Sequence, residues 1–406
     1  MKASEFPMLP ESELLIWCAR MVVTEELAAD IRQRVQGPLD WDGLIDLACY
    51  HGVVPLLHRN LSTLCADLVP VESLTLLCRR THAGTLLNQL LAHELTVLCE
   101  AFEAHRIPVI PIKGASLAAS VYGDLTLRSF SDIDLIVPEG SITEAQAVLM
   151  DLGYESEIPS LDRSQKDHKK DPHHVFLKKQ TLFRVDLQYM MARQQFAFGL
   201  DRPEFWLNRR PVMVANKTVQ VLAPEDLLVI LCVHGSKHVW EQLKWVCDVA
   251  ELLRVHQHLD WERIFKNTST WHCQRLVYMG LSLAHLLLDA PVPERVLARF
   301  STDSDVQMLS RRIPFTLLAD HQAGVKENQA VALYFSLKDS WLERWKFGLM
   351  LCRDKDPLVT TPPAWFRWRT SLSCLARFVF LFHRTMKRLL PSRIQRAINR
   401  FVEQSG

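Results

Sequence analysis

Apolar residues recur at helical spacing along most of the first hundred positions of the chain. In one stretch they lie three or four positions apart and share a face, namely Leu87, Leu91, Leu95, Leu98 and Phe102. Asp40 precedes another apolar run and has the short acceptor side chain that is preferred at a helix N-cap. The pattern predicts a largely helical region over residues 1–104.

In the middle of the chain, short β-branched runs replace the helical period. They predict strands over residues 107–112, 132–137, 174–178 and 182–189. The first run contains two prolines, which limit its pairing, and it ends in a tight turn at Lys113-Gly114. A helix is expected over 115–122, and Ser141 with Glu144 has the spacing of a capping box. This mixture predicts an α+β core with a small mixed sheet.

Helical periodicity returns at Pro224. Residues 225–256 contain no proline and predict one long helix, and further helices are expected over 261–350. We therefore predict a small mixed-sheet core flanked by largely helical N- and C-terminal regions. The predicted divisions are a helical region at 1–104, the mixed-sheet core at 105–222, a helical domain at 223–353, and a linker with a basic amphipathic tail at 354–406.

Composition narrows the class of protein. The chain has 406 residues, more than one ordinary core needs, and its apolar (48%) and charged (23%) fractions argue against disorder. Its ten cysteines form no CxxC pair, which favours free thiols and a reducing compartment. The sequence contains no run of about 20 apolar residues, so we predict no membrane-spanning helix. Acidic residues near the start occupy the positions where a signal peptide has its apolar run, so we expect no signal peptide. We expect a cytoplasmic protein.

The distribution of charge is uneven. A formal net charge of +1 excludes a uniformly basic nucleic-acid coat protein. Residues 366–406 nevertheless carry +8, which leaves −7 on the rest of the chain. Basic and apolar residues interleave in this tail, as in an interfacial helix near anionic lipid, a nucleic-acid contact or a partner-docking arm. A packed helix with a solvated basic face is the remaining alternative.

The candidate chemistry lies in the predicted strand at 132–137. Side chains alternate along a strand, so Asp132 and Asp134 point to the same face. Two such carboxylates repel each other unless a cation lies between them, and Mg²⁺ prefers carboxylate oxygens together with substrate phosphates. Asp186, on a later strand, completes a three-carboxylate cluster if the two strands are neighbours. The alternative is a pair of solvated acids on a sheet surface.

These residues belong to a longer series of motifs. The series is Lys113-Gly114-Ala115-Ser116, Tyr122, Arg128, the run 131–137, Gly153-Tyr154, Val185-Asp186-Leu187, Pro224-Glu225-Asp226-Leu227-Leu228 and His234-x3-His238-x6-Trp245-x2-Asp248. It resembles the DNA polymerase beta-type nucleotidyltransferase superfamily. More narrowly, it resembles a bacterial nucleotidyltransferase family with an Ile-Lys-Gly turn, over residues from about 40 to 270.

The resemblance implies transfer of a nucleoside monophosphate from a nucleoside triphosphate to an acceptor hydroxyl, with release of pyrophosphate. Asp132 and Asp134 would bind the Mg²⁺ that carries the triphosphate. Together with Asp186 they would hold a second Mg²⁺, and Asp186 is also a candidate base towards the acceptor hydroxyl. The acceptor, whether a small molecule, a peptide or an RNA, is not implied.

Four residues around the turn are candidate nucleotide contacts. Gly114 lets the backbone approach the phosphates, and Lys113 offers them a positive charge. Ser116 lies at a helix N-terminus, where amide groups favour anions. The superfamily turn is usually Gly-Gly or Gly-Ser, so the sequence Gly114-Ala115-Ser116 departs from it. Arg128 is explained equally well by a phosphate contact and by pairing with an acid.

The helix predicted from residue 225 adds further candidates. His234 and His238 lie four residues apart and share a face. A helical cap that presents His234, Lys237 and His238 to the nucleotide is therefore expected. With Asp248 the histidines suggest a zinc site, but the glutamate of the H-E-x-x-H metallohydrolases is missing. Core or surface histidines are the remaining alternative.

Two other functions stay open at this point. A catalytically degenerate protein would bind nucleotides as a regulator, although the presence of Asp132, Asp134 and Asp186 argues against it. An RNA-modifying enzyme would use the basic tail at 366–406 to hold its acceptor by contacts to phosphate.

Overall fold

The computed structural model describes residues 8–157, 173–191, 198–318 and 333–353. Met1–Gly324 form one compact unit and Val325–Gly406 a second. The predicted α+β class is confirmed, because a small mixed sheet is flanked along the chain by helical regions. The region boundaries drawn from the sequence stay predictions. The linker and basic tail expected at 354–406 lie outside the described residues.

Five helices precede the sheet, as the apolar period predicts. They are α1 (Pro10–Cys18), α2 (Glu25–Val35), α3 (Trp41–Tyr50), α4 (Val54–Leu64) and α5 (Val71–Ala104). The predicted N-cap of α3 is confirmed, because the Asp40 carboxylate accepts a hydrogen bond of 3.0 Å from the amide of Gly43.

The central sheet has five strands in the order β1-β2-β5-β4-β3. They are β1 (Ile110–Pro111), β2 (Ile133–Ile136), β3 (Glu155–Ser156), β4 (His173–Lys178) and β5 (Phe183–Gln188). β2 and β5 are parallel, whereas the other neighbouring pairs are antiparallel. β1 is only two residues long, as expected for a strand whose prolines cannot donate to the ladder.

Helix α5 supplies one side of the core around this sheet. Leu95 and Phe102 are buried in the same apolar cluster as Leu135 of β2 and Leu187 of β5. Each buried side chain of this size contributes roughly 1.5–3 kcal/mol relative to an exposed one. Leu87, which was predicted on the same helix face, lies outside the buried cluster and is 39% exposed. The core-facing stripe of α5 therefore begins one turn later than the sequence indicates.

The segments between the strands position the candidate site. After β1 the chain forms a short helix, α6 (Gly114–Leu117), that continues as a π-helical turn (Ala118–Tyr122). Helix α7 (Ile142–Asp151) follows β2. The predicted capping box is wrong, because the Ser141 side chain makes no capping hydrogen bond. Ser141 instead closes a 3₁₀ turn, and its backbone lies outside the extended region typical of an N-cap.

Two further pairs of antiparallel strands and a set of helices make up the rest of the first unit, as far as its residues are described. The pairs are β6 (Met190–Met191) with β7 (Phe198–Gly199), and β8 (Arg210–Val214) with β9 (Lys217–Val221). The helices are α8 (Pro203–Leu207), α9 (Pro224–Lys237), α10 (Leu243–Val255), α11 (Trp261–Thr270), α12 (Gln274–Leu288), α13 (Glu294–Ser301) and α14 (Ser304–Leu318). The second unit contains α15 (Trp341–Arg353). None of the helices in the described ranges is long and apolar enough to cross a membrane.

The single helix predicted over residues 225–256 is wrong. The chain leaves α9 after Lys237 and begins α10 only at Leu243. Between them, Val239 and Trp240 have left-handed backbones, with φ values of 58° and 56°. Such a conformation costs about 1–2 kcal/mol for each residue with a side chain, so tertiary contacts must compensate for it.

Burial of the Trp240 indole provides that compensation. The side chain is fully buried, and a Cβ on Gly235 of α9 would lie 2.5 Å from its ring. A Cβ on Gly280 of α12 would lie 3.0 Å from the ring and 2.5 Å from Sγ of Cys232. These two glycines let the ring pack closely against both helices. Burying an aromatic side chain of this size contributes several kcal/mol. Packing therefore outweighs the local preference for a continuous helix.

We expect Gly235→Ala to lower the free energy of unfolding by about 1–3 kcal/mol, since overpacking a filled core has that effect. A Cβ at residue 235 would lie 2.5–2.6 Å from three carbons of the Trp240 ring. Gly84→Ala in α5 is the matched control, because a Cβ there meets no atom within 4 Å. It should raise the stability by about 0.5–1 kcal/mol through helix propensity. Urea denaturation measures both changes, and equal stabilisation by the two would contradict the packing role of Trp240.

Candidate active site

The carboxylates predicted from the sequence lie on two neighbouring strands. In the parallel ladder between β2 and β5, Asp134 stands directly opposite Asp186. Asp132 precedes β2 by one residue and is partly exposed, whereas Asp134 is only 6% exposed. The condition set by the sequence, that these strands be neighbours, is therefore met. The charges of Asp132 and Asp186 both act to raise the pKa of Asp134.

Asp134 is held by one cation and one amide. The Lys113 ammonium lies 3.0 Å from one carboxylate oxygen, and the Gln188 side-chain amide donates to the other at 3.0 Å. Burial raises the pKa of Asp134, the charge of Lys113 lowers it, and the carboxylates of Asp132 and Asp186 raise it again. The net pKa lies above its ordinary value. The cluster thus carries more negative charge than Lys113 balances.

The turn that follows β1 brings the backbone against this cluster. Gly114 has φ +59°, and a Cβ there would lie 3.3 Å from the carbonyl oxygen of Asp132. Both the backbone conformation and the close approach favour glycine. Lys113, Gly114, Asp132 and Asp134 line the same pocket.

Ser116 stabilises this turn. Its hydroxyl is buried and donates a hydrogen bond of 2.8 Å to the carbonyl oxygen of Lys113. The contact fixes the backbone that carries Lys113 and Gly114. The phosphate contact predicted for Ser116 stays a prediction.

Arg128 lies in a buried ion pair, which is the alternative that the sequence left open for it. Its Nε and one terminal nitrogen donate to the two carboxylate oxygens of Asp248, at 2.7 and 2.8 Å. The Tyr122 hydroxyl donates to the same carboxylate at 2.9 Å. Burial acts to lower the pKa of Arg128, but Asp248 outweighs it and the pKa is raised. Because Asp248 is bound in this way, the zinc alternative with His234 and His238 has no support.

The end of α9 places two histidines next to the turn. Nδ1 of His234 lies 3.4 Å from Nζ of Lys113. The ring centroids of His234 and His238 are 4.6 Å apart, and that of Trp245 lies 5.0 Å from His238. Burial and the charge of Lys113 hold the pKa of His234 well below its usual range, so its imidazole is neutral. Lys237, the last residue of α9, also lowers this pKa.

The acid cluster fits a divalent cation by its chemistry rather than as a preformed cage. Among the described residues, no group of three His, Cys, Asp or Glu side chains is arranged to hold a metal ion. Carboxylates of Asp132, Asp134 and Asp186 nevertheless form the oxygen-rich donor set that Mg²⁺ prefers. A magnesium ion commonly takes one or two carboxylates and completes its shell with water and substrate phosphates. Burial is the largest cause of the raised pKa of Asp134, and the charges of Asp132 and Asp186 add to it. A cation between the three carboxylates would oppose that repulsion.

Comparison with known proteins defines the class of enzyme. Residues 37–289 match a family model described as "uncharacterised nucleotidyltransferase". The match spans more than half of the chain, and the chain therefore belongs to this family. The predicted enzyme class, a nucleotidyltransferase, is confirmed. None of the curated proteins matches the chain.

Two solved structures are similar over part of the chain. One is a solution structure of the antibiotic-resistance factor ANT(2'')-Ia, with 15% identity, a TM-score of 0.34, and coverage of 49% of this chain and 98% of that one. The other is a crystal structure of ANT(2'')-Ia in complex with adenylyl-2''-tobramycin, with 14% identity, a TM-score of 0.32, and coverage of 45% and 97%. Similarity at this level does not identify the acceptor of this chain.

Two further residues at the site are not among those singled out from the sequence. Gln188 was read only as part of a strand, yet its amide binds Asp134. Lys244 lies in the first turn of α10, and both Asp132 and Lys113 act on its pKa. The only sequence signal for Lys244 is its position next to Trp245 in the motif that ends at Asp248. Its relation to Asp132 depends on the fold.

Proposed function

We propose that the chain transfers a nucleoside monophosphate from a nucleoside triphosphate to an acceptor hydroxyl and releases pyrophosphate. The observation that carries this proposal is the parallel pairing that sets Asp134 beside Asp186, with Asp132 two residues before Asp134. Membership of a nucleotidyltransferase family supports the class of reaction. The Lys113-Gly114 turn beside these acids supports a phosphate-binding role for this end of the sheet.

Asp132, Asp134 and Asp186 would hold the magnesium that such a transfer needs. The metal would supply charge neutralisation on the phosphates and on the leaving pyrophosphate. The Lys113 ammonium, 3.0 Å from the carboxylate of Asp134, favours its ionised form and opposes the pKa rise that burial causes. Gln188 fixes the orientation of the same carboxylate through its amide. Asp186, which is less buried, is the candidate base for the proton of the acceptor hydroxyl.

The nucleotide would lie against the turn and the end of α9. Gly114 allows the phosphates to approach the backbone without meeting a Cβ. Lys237 and His238, at the end of α9, are candidate contacts to the nucleotide. His234 would act through Lys113, since its neutral ring lies next to that ammonium.

The test is incubation of the full chain with each of the four labelled nucleoside triphosphates, Mg²⁺ and fractionated cell extract. We expect one nucleotide to label one fraction and to release an equivalent amount of pyrophosphate. Treating the fraction with nuclease, with protease or with neither would sort the acceptor into RNA, peptide or small molecule. Chelation with EDTA should abolish labelling and an excess of Mg²⁺ should restore it.

The same experiment distinguishes the alternatives. Binding of a nucleotide without labelling of any fraction would identify a degenerate, regulatory protein. Transfer that persists in EDTA would contradict the role given to the acid cluster. Labelling confined to the nuclease-sensitive fraction would favour the RNA-modifying function, and deletion of residues 366–406 would then test the basic tail.

A further inference from the structure

The start of α10 is fixed to the N-terminal helices at one point. The Gln242 side chain donates to the carbonyl oxygen of Tyr50 at 3.0 Å. The amide of Leu243 donates to Nδ1 of His51 at 3.3 Å, and the amide of Lys244 donates to the carbonyl oxygen of His51 at 3.1 Å. The N-cap residue of α10 and its first two residues are thus held by the last residue of α3 and the turn that follows it. These contacts therefore fix the backbone position from which the Lys244 side chain extends.

The same turn also fixes the Lys244 stem. Gly52, the residue after His51, has φ +67°, and a Cβ there would lie 2.7 Å from Cδ of Lys244. The aliphatic stem therefore lies directly against the glycine backbone, where any larger residue would displace it. A half-buried lysine whose stem is held in this way has little rotamer freedom left to lose when it binds a ligand.

Lys244 lies one helical turn before Asp248 and shares its face of α10. The ring of the next residue, Trp245, lies 5.6 Å from that of His234, which contacts Lys113 beside Asp134. Burial lowers the pKa of Lys244, as does the nearby charge of Arg128, whereas Asp248 and Asp132 raise it and Lys113 lowers it. The two other cations are already matched with carboxylates, Arg128 with Asp248 and Lys113 with Asp134. Within the described residues, Lys244 forms no such salt bridge with a carboxylate. Lys244 is therefore a cation near Asp132 that no carboxylate of the described residues pairs with.

We propose that Lys244 binds the phosphate groups of the nucleoside triphosphate, which is one of the two roles that the sequence left open for Arg128. The inference rests on the proposed function, since it presupposes a triphosphate donor. A lysine ammonium is a compact point charge suited to phosphate, and a charged hydrogen bond contributes more than a neutral one. The N-terminal helices would then form part of the active site through the turn at His51 and Gly52.

The first test measures binding of inorganic tripolyphosphate with Mg²⁺, and of each nucleoside triphosphate with Mg²⁺, by titration calorimetry on the full chain. Lys244→Gln should weaken tripolyphosphate and the donor nucleotide by about 10- to 100-fold, the size expected for a charged hydrogen bond. Lys244→Arg keeps the charge and should recover part of the loss. Thermal unfolding of each variant separates lost binding from lost fold.

The second test changes Gly52, the glycine against which the aliphatic stem of Lys244 packs. Gly52→Ala should weaken tripolyphosphate binding nearly as much as Lys244→Gln, because the new Cβ displaces the lysine. Gly123→Ala is the matched control, since Gly123 has the same φ of +67° but a Cβ there meets no atom within 4 Å. It should lose stability by a similar amount and keep its affinity. The double variant of Gly52 and Lys244 should bind no more weakly than Lys244→Gln alone.

The outcomes separate the two proposals. If the unaltered chain binds neither tripolyphosphate nor any nucleoside triphosphate, the proposal of a triphosphate donor is wrong, and so is the role proposed for Lys244. If the unaltered chain binds and Lys244→Gln binds equally well, the role of Lys244 alone is wrong. Additive losses for Gly52→Ala and Lys244→Gln would show that the glycine acts on binding by another route.

Discussion

Asp134→Asn should lower the rate of nucleotidyl transfer by about 1000-fold and leave the fold intact. A metal ligand that neutralises phosphate charge is worth several kcal/mol in the transition state, and about 4 kcal/mol corresponds to that factor. The fold should tolerate the change, because burial and the neighbouring acids already disfavour the charged form of Asp134. The asparagine can still accept the hydrogen bond from Gln188, although Lys113 loses its ion pair. The measurement is the rate of Mg²⁺-dependent pyrophosphate release with the labelled acceptor fraction.

A carboxylate elsewhere in the same sheet serves as the control. Glu155 of β3 is exposed and pairs with Lys179 at the surface. Glu155→Gln removes one negative charge from the protein and should leave the rate within about twofold, since exposed pairs contribute little. Asp132→Asn and Asp186→Asn should resemble Asp134→Asn. Full activity in Asp132→Asn or Asp134→Asn would rule out the metal assignment.

The parts of the site that local rules govern could be predicted from the sequence. A strand places every second side chain on one face, so the relation of Asp132 to Asp134 follows from their spacing alone. The tight turn at Lys113-Gly114 is also local, because glycine adopts the positive φ found at Gly114 at little cost. The Asp40 cap is equally local. In each case the physical cause acts within a few residues of the chain.

The parts that depend on distant contacts could not be predicted. Asp186 could be assigned only on the condition that its strand lies beside β2, and that pairing joins residues about fifty positions apart. Arg128 and Asp248 are separated by 120 positions. One local signal did exist for them, because an acid such as Asp248 within the apolar run of α10 must find a cation if it is buried. The sequence does not say which cation that is.

The break between α9 and α10 shows a different limit. Residues 225–256 have good helix propensity and no proline, yet Val239 and Trp240 adopt left-handed backbones. The cause is the space that Gly235 and Gly280 open for the Trp240 ring, which involves three separate elements. The break also places His238 beside Trp245, and it brings Lys244 close enough for the charge of Asp132 to raise its pKa. Tertiary packing thus creates the part of the site that periodicity misses.

Arg128→Ala and Asp248→Ala should each lower the free energy of unfolding by about 3–5 kcal/mol. Removing one partner of a buried ion pair leaves the other charge buried and unmatched, which has an effect of that size. Arg128 and Asp248 are 5% and 1% exposed, and two hydrogen bonds join them. The double variant should lose less than the sum of the single variants, because the groups share one interaction. Urea denaturation at constant pH measures all three.

Arg32 and Asp67 form the matched control, because two hydrogen bonds also join this Arg–Asp pair but its side chains are 43% and 63% exposed. Asp67→Asn should leave the urea denaturation midpoint nearly unchanged, since solvent screens the pair. A loss below 1 kcal/mol in Arg128→Ala would contradict the structural role. Arg128→Lys separates structure from phosphate binding, because lysine cannot form the bidentate contact with Asp248. Lower stability with unchanged affinity for Mg²⁺–tripolyphosphate would place Arg128 in the framework and leave phosphate binding to other cations of the site.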